Sequence, residues 1–453
     1  MDRRKFLGSI AAGGFGLLAL PEAWADDGIT APVLFPVPTN TGITGNVIVI
    51  GGGMAGATVA KYLRLWGGTG VSVTLIEASP AYTSNIMSNT VLTGQRALSS
   101  LVYGYNVLAN HYGVSIVNDT VTGIDSVNKR VLLAGGGSRG YGRLVLAPGL
   151  DFDLMPGMAS ADEYKFSIPH AWKAGSQTQV LRDKLVALTA GQNVVLTIPK
   201  APYRCPPGPY ERVCVIADWL KTNKPGSKII VLDANPKIIV EEKNFSDAFT
   251  GLYANVVDYR PGSTVTNVSS SSMSVTYYST DSTKPTTESA GVINPIPPQR
   301  APKLLADAGL LSDDPAMPFA PVNVLSYEST NARKEGIHVI GDASLTTQPK
   351  AGHIGNQQGK TCADAIVRLL ANPSASLDRP VVTNSACYTP ITSTTATWLS
   401  AVYQYQSGSM VIPSWHLPDG SATPGAIAAA AATTENYQDM LTWFSTLMGD
   451  TFS

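Results

Sequence analysis

Gly51-Gly52-Gly53-Met54-Ala55-Gly56 is the stretch on which the fold turns. It spells G-x-G-x-x-G. It follows residues 46–50 (NVIVI), an apolar β-branched run with the pattern of a buried parallel strand, and it opens a helical stretch through Ala60, Tyr62 and Leu63. Each glycine has a separate task. Gly51 allows a tight turn, and Gly53 lets the N–H groups at the helix start, around Met54 and Ala55, approach a pyrophosphate. Gly56 lets the helix lie close on the strand. A second strand over 71–76 ends at Glu77-Ala78, about 20 residues past the last glycine, where a carboxylate can accept hydrogen bonds from both ribose hydroxyls. The unit is a dinucleotide-binding β-turn-α-β. The fingerprint alone does not separate nicotinamide from flavin dinucleotides.

The rest of the chain bounds the possibilities. Its 453 residues suggest about three structural units. Hydrophobic residues make up 44% and charged residues 14%, enough for large cores and too few charges for a disordered chain. A formal net charge of −1 gives no field to hold nucleic acid, so no nucleic-acid partner is expected. Arg3 and Arg4, followed by Lys5, Phe6 and Leu7, an apolar Gly-rich run to Leu20 and Ala23-Trp24-Ala25, read as a twin-arginine export signal over 1–25. A protein exported in this way carries its cofactor folded into a periplasmic, oxidising compartment. No later stretch has the run of about 18 apolar residues that a membrane span needs. Four cysteines (Cys205, Cys214, Cys362 and Cys387) allow up to two disulfides by three pairings. There is no C-x-x-C-H for a covalent haem and no His/Cys cluster with metal spacing.

Residues 26–44, rich in Pro and Thr, read as a linker, and 45–155 as the first part of the dinucleotide domain. Strands over 192–198 and 228–232 bracket a helix over 210–221, a second strand-helix-strand unit within 156–290. Its turn reads IPKAPYRCPPGPYER (198–212) where a nicotinamide-binding copy would carry glycines. Bulky and Pro-rich residues there block a pyrophosphate. Electrons should therefore come from a small reductant rather than from NAD(P)H. Residues 264–290, rich in Ser and Thr, suggest a β-hairpin. A strand over 336–340 and a helix over 356–370 would complete the first domain within 291–372. Residues 373–453 form a polar C-terminal interface or cofactor-covering region, with a helix expected over the Ala-rich 426–432.

Two segments select the flavin. Residues 141–149 (YGRLVLAPG), with Ala147, Pro148 and Gly149, resemble the strand-turn closing the FAD domain of two-dinucleotide-binding flavoproteins. Residues 336–343 (GIHVIGDA) resemble the late FAD motif of that class, in which Gly341 and Asp342 would face the ribityl chain and the next helix would aim its N-terminus at the flavin ring. Residues 201–212 (APYRCPPGPYER), 169–175 (PHAWKAG), 296–301 (IPPQRA), Gln358-Gly359-Lys360 and Asp450-Thr451-Phe452 extend the likeness. With them, nearly the whole chain from about 45 to 450 resembles the flavoprotein subunit of flavocytochrome c sulfide dehydrogenase, a relative of the sulfide:quinone reductases.

The resemblance implies an α/β, glutathione-reductase-like fold of two Rossmann-type domains plus the C-terminal region. It implies FAD held by the glycine fingerprint, Glu77, Ala78, the 147–149 turn, Gly341, Asp342 and Gln358-Gly359-Lys360. It also implies a redox-active disulfide beside the flavin and a c-type cytochrome subunit, or another soluble acceptor, as partner. Two departures follow. The family's redox disulfide joins the cysteine at Cys205 to one at the position held here by Ser344. The family's covalent flavin attachment uses a cysteine where Asn85 stands, so FAD here should be non-covalent. Cys205 is the candidate catalytic thiol if its thiolate is stabilised by the flavin or Arg204; otherwise it is a structural thiol or part of another disulfide. Cys387 reads as structural, and Cys214 and Cys362 as buried helical residues. The expected activity is oxidation of sulfide or a related small reductant. The rivals are a same-fold dehydrogenase using direct hydride transfer from a non-sulfur substrate, and a non-catalytic FAD-binding relay subunit.

Overall fold

Buried β-branched runs build the centre of the molecule. A computed structural model describes residues 33–331, 334–416 and 422–453, so the expected export signal lies outside the described residues. β1 (Gly45–Ile50) leads into α1 (Met54–Gly67) and returns as β2 (Val71–Glu77). β3 (Ser115–Asn118) and β4 (Arg143–Leu146) follow. The second unit consists of β5 (Val194–Ile198), α2 (Gly208–Asn223), β6 (Ile229–Asp233), β7 (Val257–Pro261) and β8 (Val292–Pro295). β9 (Ile337–Val339) and α3 (Gly352–Ala371) return to the first unit. β10 (Val382–Pro390), β11 (Ala396–Gln406) and α4 (Thr434–Phe452) close the chain.

The first sheet runs β9-β4-β1-β2-β3, all parallel, with three short strands added beyond β9. The second runs β7-β6-β5-β8, again all parallel. Two parallel sheets covered by helices are the expected pair of Rossmann-type units. In both, the loops leaving the C-terminal ends of the central strands meet at one crevice, the usual location for a ligand in an open α/β sheet.

Several expected boundaries shift. β8 pairs with β5 from Val194↔Val292 to Thr197↔Pro295, so the second unit continues past 290. The expected hairpin over 264–290 is a three-stranded antiparallel sheet, Thr264–Ser269, Ser274–Tyr278 and Thr286–Ser289. α3 starts four residues before the expected 356. The Ala-rich 426–432 is not helical: Ala426–Ala428 is a strand paired with β11. Alanine's helix preference is too weak to resist an open sheet edge. The helix begins instead where Thr433 accepts the N–H of Asn436, a cap that alanine cannot provide. α4 is no surface appendage. Met440, Phe444, Leu447, Met448 and Phe452 join the core formed by Val47, Val49, Ala57 and Leu63.

Candidate active site

The glycine turn is shaped by contacts that a side chain would break. Gly51 has φ +95°, and a Cβ there would lie 2.3 Å from the Ala147 carbonyl oxygen. A Cβ on Gly56 would lie 1.8 Å from the Gly51 carbonyl oxygen, which is what lets α1 lie on the strand. Gly53 differs. A Cβ there meets nothing nearer than the Tyr82 ring at 3.6 Å, because this glycine opens onto a cavity. Glu77 is held by the N–H groups of Gly52 (2.6 Å) and Ser79 (2.8 Å) at the end of β2.

The cavity lies between the two units. Of the residues expected to grip the cofactor, Gly53, Met54, Ala55, Ala147, Gly149, Gly341 and Asp342 line it, and so does Cys205. Gly51 and Gly56 stand behind the turn, Pro148 is not on the wall, and Glu77 and Ala78 lie beyond it. The first turn of α3, Gly352 and His353, faces the cavity and brings a helix N-terminus to it. Trp443 Nε1, on the same wall, is buried without a hydrogen-bond partner, a donor that a bound group's carbonyl can satisfy. The open glycine, the helix N-terminus and the orphan donor fit an extended phosphate-bearing ring cofactor.

Gln358, Gly359 and Lys360 do not line this cavity. Gln358 is 2% exposed and takes the N–H of Gly341 at 2.6 Å. A Cβ on Gly359 would lie 2.9 Å from the Ala55 carbonyl oxygen, so its task is the close crossing of α1 and α3. Lys360 pairs with Asp450 at 2.7 Å. Tyr62 and Asn356 also donate to that carboxylate, and Lys61 reaches the main-chain carbonyls of Asp450 and Ser453. This clasp holds the end of α4, and Phe452 stacks on Tyr82 and Tyr103.

Cys205 occupies the turn between β5 and α2, with φ +58°, and its N–H donates to the Lys350 carbonyl at 2.6 Å. Next to it Arg204 pairs with Asp342 at 3.6 Å and donates to the Trp172 carbonyl. Burial, with Cys387 and Glu211 nearby, pushes the Cys205 thiol well above its ordinary range, and Arg204 only partly opposes this. The protein alone therefore keeps Cys205 protonated at neutral pH.

Glu211, in the first turn of α2, is the site residue that sequence reasoning missed. Its carboxyl lines the cavity, accepts from Asn89 at 2.8 Å, and is pushed up to about 7 by burial, against the Asn89 bond and the Arg212 charge. The signal was an acidic residue in the helix turn just after a cysteine. Arg212, 1% exposed, donates to the carbonyls of His170 and Ala171 and to the side chains of Asn89 and Asn294, fixing the floor of the site. Asn85 also lines the cavity, and its side-chain oxygen takes the N–H of Ala174 at 2.8 Å. Ser344 is 2% exposed, off the cavity wall, and donates to the Gly341 carbonyl at 2.8 Å. All four cysteines are free thiols in this structure.

This fold and this site define an FAD-dependent oxidoreductase. Residues 45–194 match the pyridine nucleotide-disulphide oxidoreductase family. More particularly, residues 178–297 match the central domain of the sulfide dehydrogenase [flavocytochrome c] flavoprotein chain, the family that the chain resembles in its sequence strings. Among solved structures, the sulfide:quinone oxidoreductase of Aquifex aeolicus aligns with a TM-score of 0.73 at 17% identity, over 90% of this chain and 92% of that one. NDH2 of Plasmodium falciparum, solved with NADH, aligns at 0.65 and 10% identity, over 90% and 96%. The NAD-dependent persulfide reductase of A. fulgidus aligns at 0.56 and 14%, over 88% and 76%. At these identities the structural likenesses speak for the fold. Among the described residues no helix is long and apolar enough to cross a membrane, and no group of three or more His, Cys, Asp or Glu residues could hold a metal ion.

Proposed function

We propose that the chain oxidises sulfide or a related small reduced-sulfur compound and passes the electrons to a c-type cytochrome or another soluble acceptor. It would hold FAD non-covalently and work in the periplasm after twin-arginine export. The observation that carries this reading is the thiol of Cys205 on the cavity wall, in the turn where a second dinucleotide would otherwise bind, with Glu211 on the same wall in the first turn of the helix that follows.

The flavin, when bound, supplies the two-electron acceptor. Gly53 and the start of α1 would take its pyrophosphate, and Glu77 its ribose. Asp342, held by Arg204, would face the ribityl chain, and the first turn of α3 would favour negative charge at the ring. The protein's own groups handle protons. Glu211, poised near 7, can accept the proton of an incoming thiol or hydrosulfide and return it. Cys205 can carry sulfur while bound to the protein. The second unit supports a small reductant rather than a nicotinamide. Asp233, at the end of β6 where a ribose-binding carboxylate would stand, is fully buried and accepts from Tyr210 (2.8 Å), Tyr259 (2.9 Å) and Asn235. Asn85 in place of a thiol supports non-covalent binding.

The test is steady-state reduction of a soluble c-type cytochrome by sulfide with the purified holoprotein. Wild type should turn over, and Cys205→Ser should retain flavin and lose sulfide-dependent turnover. Undiminished turnover in Cys205→Ser would instead favour direct attack on the flavin.

A further inference from the structure

One wall of the cavity offers two N–H groups that no described residue accepts. The first is Trp443 Nε1, on α4. The second belongs to His353, in the first turn of α3, whose ring meets that of Trp443 edge-on at 6.0 Å. His353 Nδ1 accepts the N–H of Ala386, on β10, at 3.0 Å. A ring nitrogen that accepts carries no proton, so the neutral ring has its proton on Nε2. Among the described residues that Nε2–H has no hydrogen-bond partner.

The surroundings oppose a second proton on this ring. It would have to enter at Nδ1, where it would meet the Ala386 N–H head on. Burial pushes the His353 pKa below its ordinary range, and Lys360, two turns along the same helix, acts in the same direction against Asp450 of α4. The positive end of α3 adds to them. The other charged groups close by have partners of their own. Lys61 and Tyr62 of α1 are turned to Asp450, Lys350 donates to the carbonyls of Asp342 and Ser344, and Arg204 pairs with Asp342. On β10, burial raises both the Cys387 thiol and the Tyr388 hydroxyl, so neither presents a negative charge at neutral pH. Glu211, on the cavity wall, accepts from Asn89.

We infer that His353 is held as a neutral imidazole and that its Nε2–H is a fixed donor to the cofactor ring, steadying the negative charge the ring gains on reduction without carrying a charge of its own. The inference rests on the cofactor placement proposed above and not on the sulfur substrate. A preorganised neutral donor acts alike on either side of neutral pH, whereas a titrating histidine would tie the flavin's hold on electrons to its own protonation.

The test needs no sulfide. The flavin midpoint potential of the holoprotein is read from its absorbance in an electrochemical cell. His353→Asn keeps an acceptor for Ala386 and removes the donor. It should weaken the hold on the reduced relative to the oxidised cofactor by roughly tenfold to a hundredfold, a fall of about 30–60 mV for a two-electron couple. His353→Gln puts a donor back near the place of Nε2 and should recover most of that fall. An unchanged potential in His353→Asn, or equal falls in both variants, would overturn the donor. Wild type tests the protonation state alone, by nitrogen NMR of histidine-labelled holoprotein, with His353 identified by its hydrogen-bond coupling to the Ala386 amide. The ring should stay neutral with its proton on Nε2 from about pH 5 to 8. A ring that titrates in that range, or a proton on Nδ1, would overturn the inference even if neither variant folds. The expected shifts in a protein whose flavin does not react with sulfide would leave the donor standing and overturn the substrate; sulfide bleaching without the shifts would do the reverse.

Discussion

The two strand-to-helix turns of this protein occupy equivalent places and do opposite things. Between β1 and α1, two glycines, Gly51 and Gly56, bring backbone against backbone and leave Gly53 facing open space. Between β5 and α2, prolines and a left-handed cysteine fill the same position, and the Cβ of a side chain at Gly208 would lie 2.9 Å from Cys205 Sγ. The first turn has the shape of a phosphate cradle. The second presents a thiol to the cavity onto which the first one opens. On the proposed function, one of two like units serves the cofactor and the other the chemistry, and the difference lies in a few side chains at one turn.

The sharpest way to break this comparison is at the glycines. Gly53→Val has room in the protein alone, so it should fold with an unchanged apoprotein Tm and lose its flavin, a cost of about 3 kcal/mol or more, roughly a hundredfold in affinity. Gly56→Val strikes the Gly51 carbonyl and should fail to fold. Flavin content and calorimetry distinguish the two, and a yellow Gly53→Val protein would refute the cradle. Arg212→Leu strikes the other half. It takes the donor from the Asn89, Asn294 and Ala171 oxygens, while the His170 carbonyl keeps Asn294 Nδ2 at 3.0 Å, and Tm should fall by roughly 10 °C from a loss of about 3–5 kcal/mol.

Glu211 gives a pH signature. Burial raises its folded pKa to about 7 from the usual 4.5, so its stabilising contribution is full below about 4.5 and is lost as pH rises through about 7. Glu211→Gln should therefore gain stability relative to wild type between pH 5 and 8, as thermal melts across that range will show. Its turnover should also fall by roughly 10² or more and lose the inflection near pH 7. A parallel pair of stability curves would contradict the buried carboxyl. The smallest effect belongs to the clasp: Lys360→Met should cost about 1 kcal/mol and leave flavin content unchanged. Loss of flavin would return Lys360 to the cofactor site.

What the sequence disclosed is what local sterics dictate. Gly51, Gly53 and Gly56 are legible because their spacing on a strand-turn-helix permits few other uses. The Pro-rich turn announces its own closure, and the fold class follows from the two units. The placing of Gln358, Gly359 and Lys360 off the cavity wall was not legible because it depends on partners far along the chain. Lys360 meets Asp450, and Gly359 meets the backbone of α1. Glu211 owes its raised pKa to burial at the cavity, which residue identity does not encode. The Ala-rich 426–432 shows local propensity losing to a sheet edge.

On the proposed function the second turn delivers a reduced sulfur compound to a flavin held by the first. Anaerobic titration of the holoprotein with sulfide, following the flavin absorbance bands, tests it most directly. Bleaching at about one equivalent of sulfide per flavin is the expected result. Flavin that stays oxidised under excess sulfide, yet bleaches with dithionite, would contradict it.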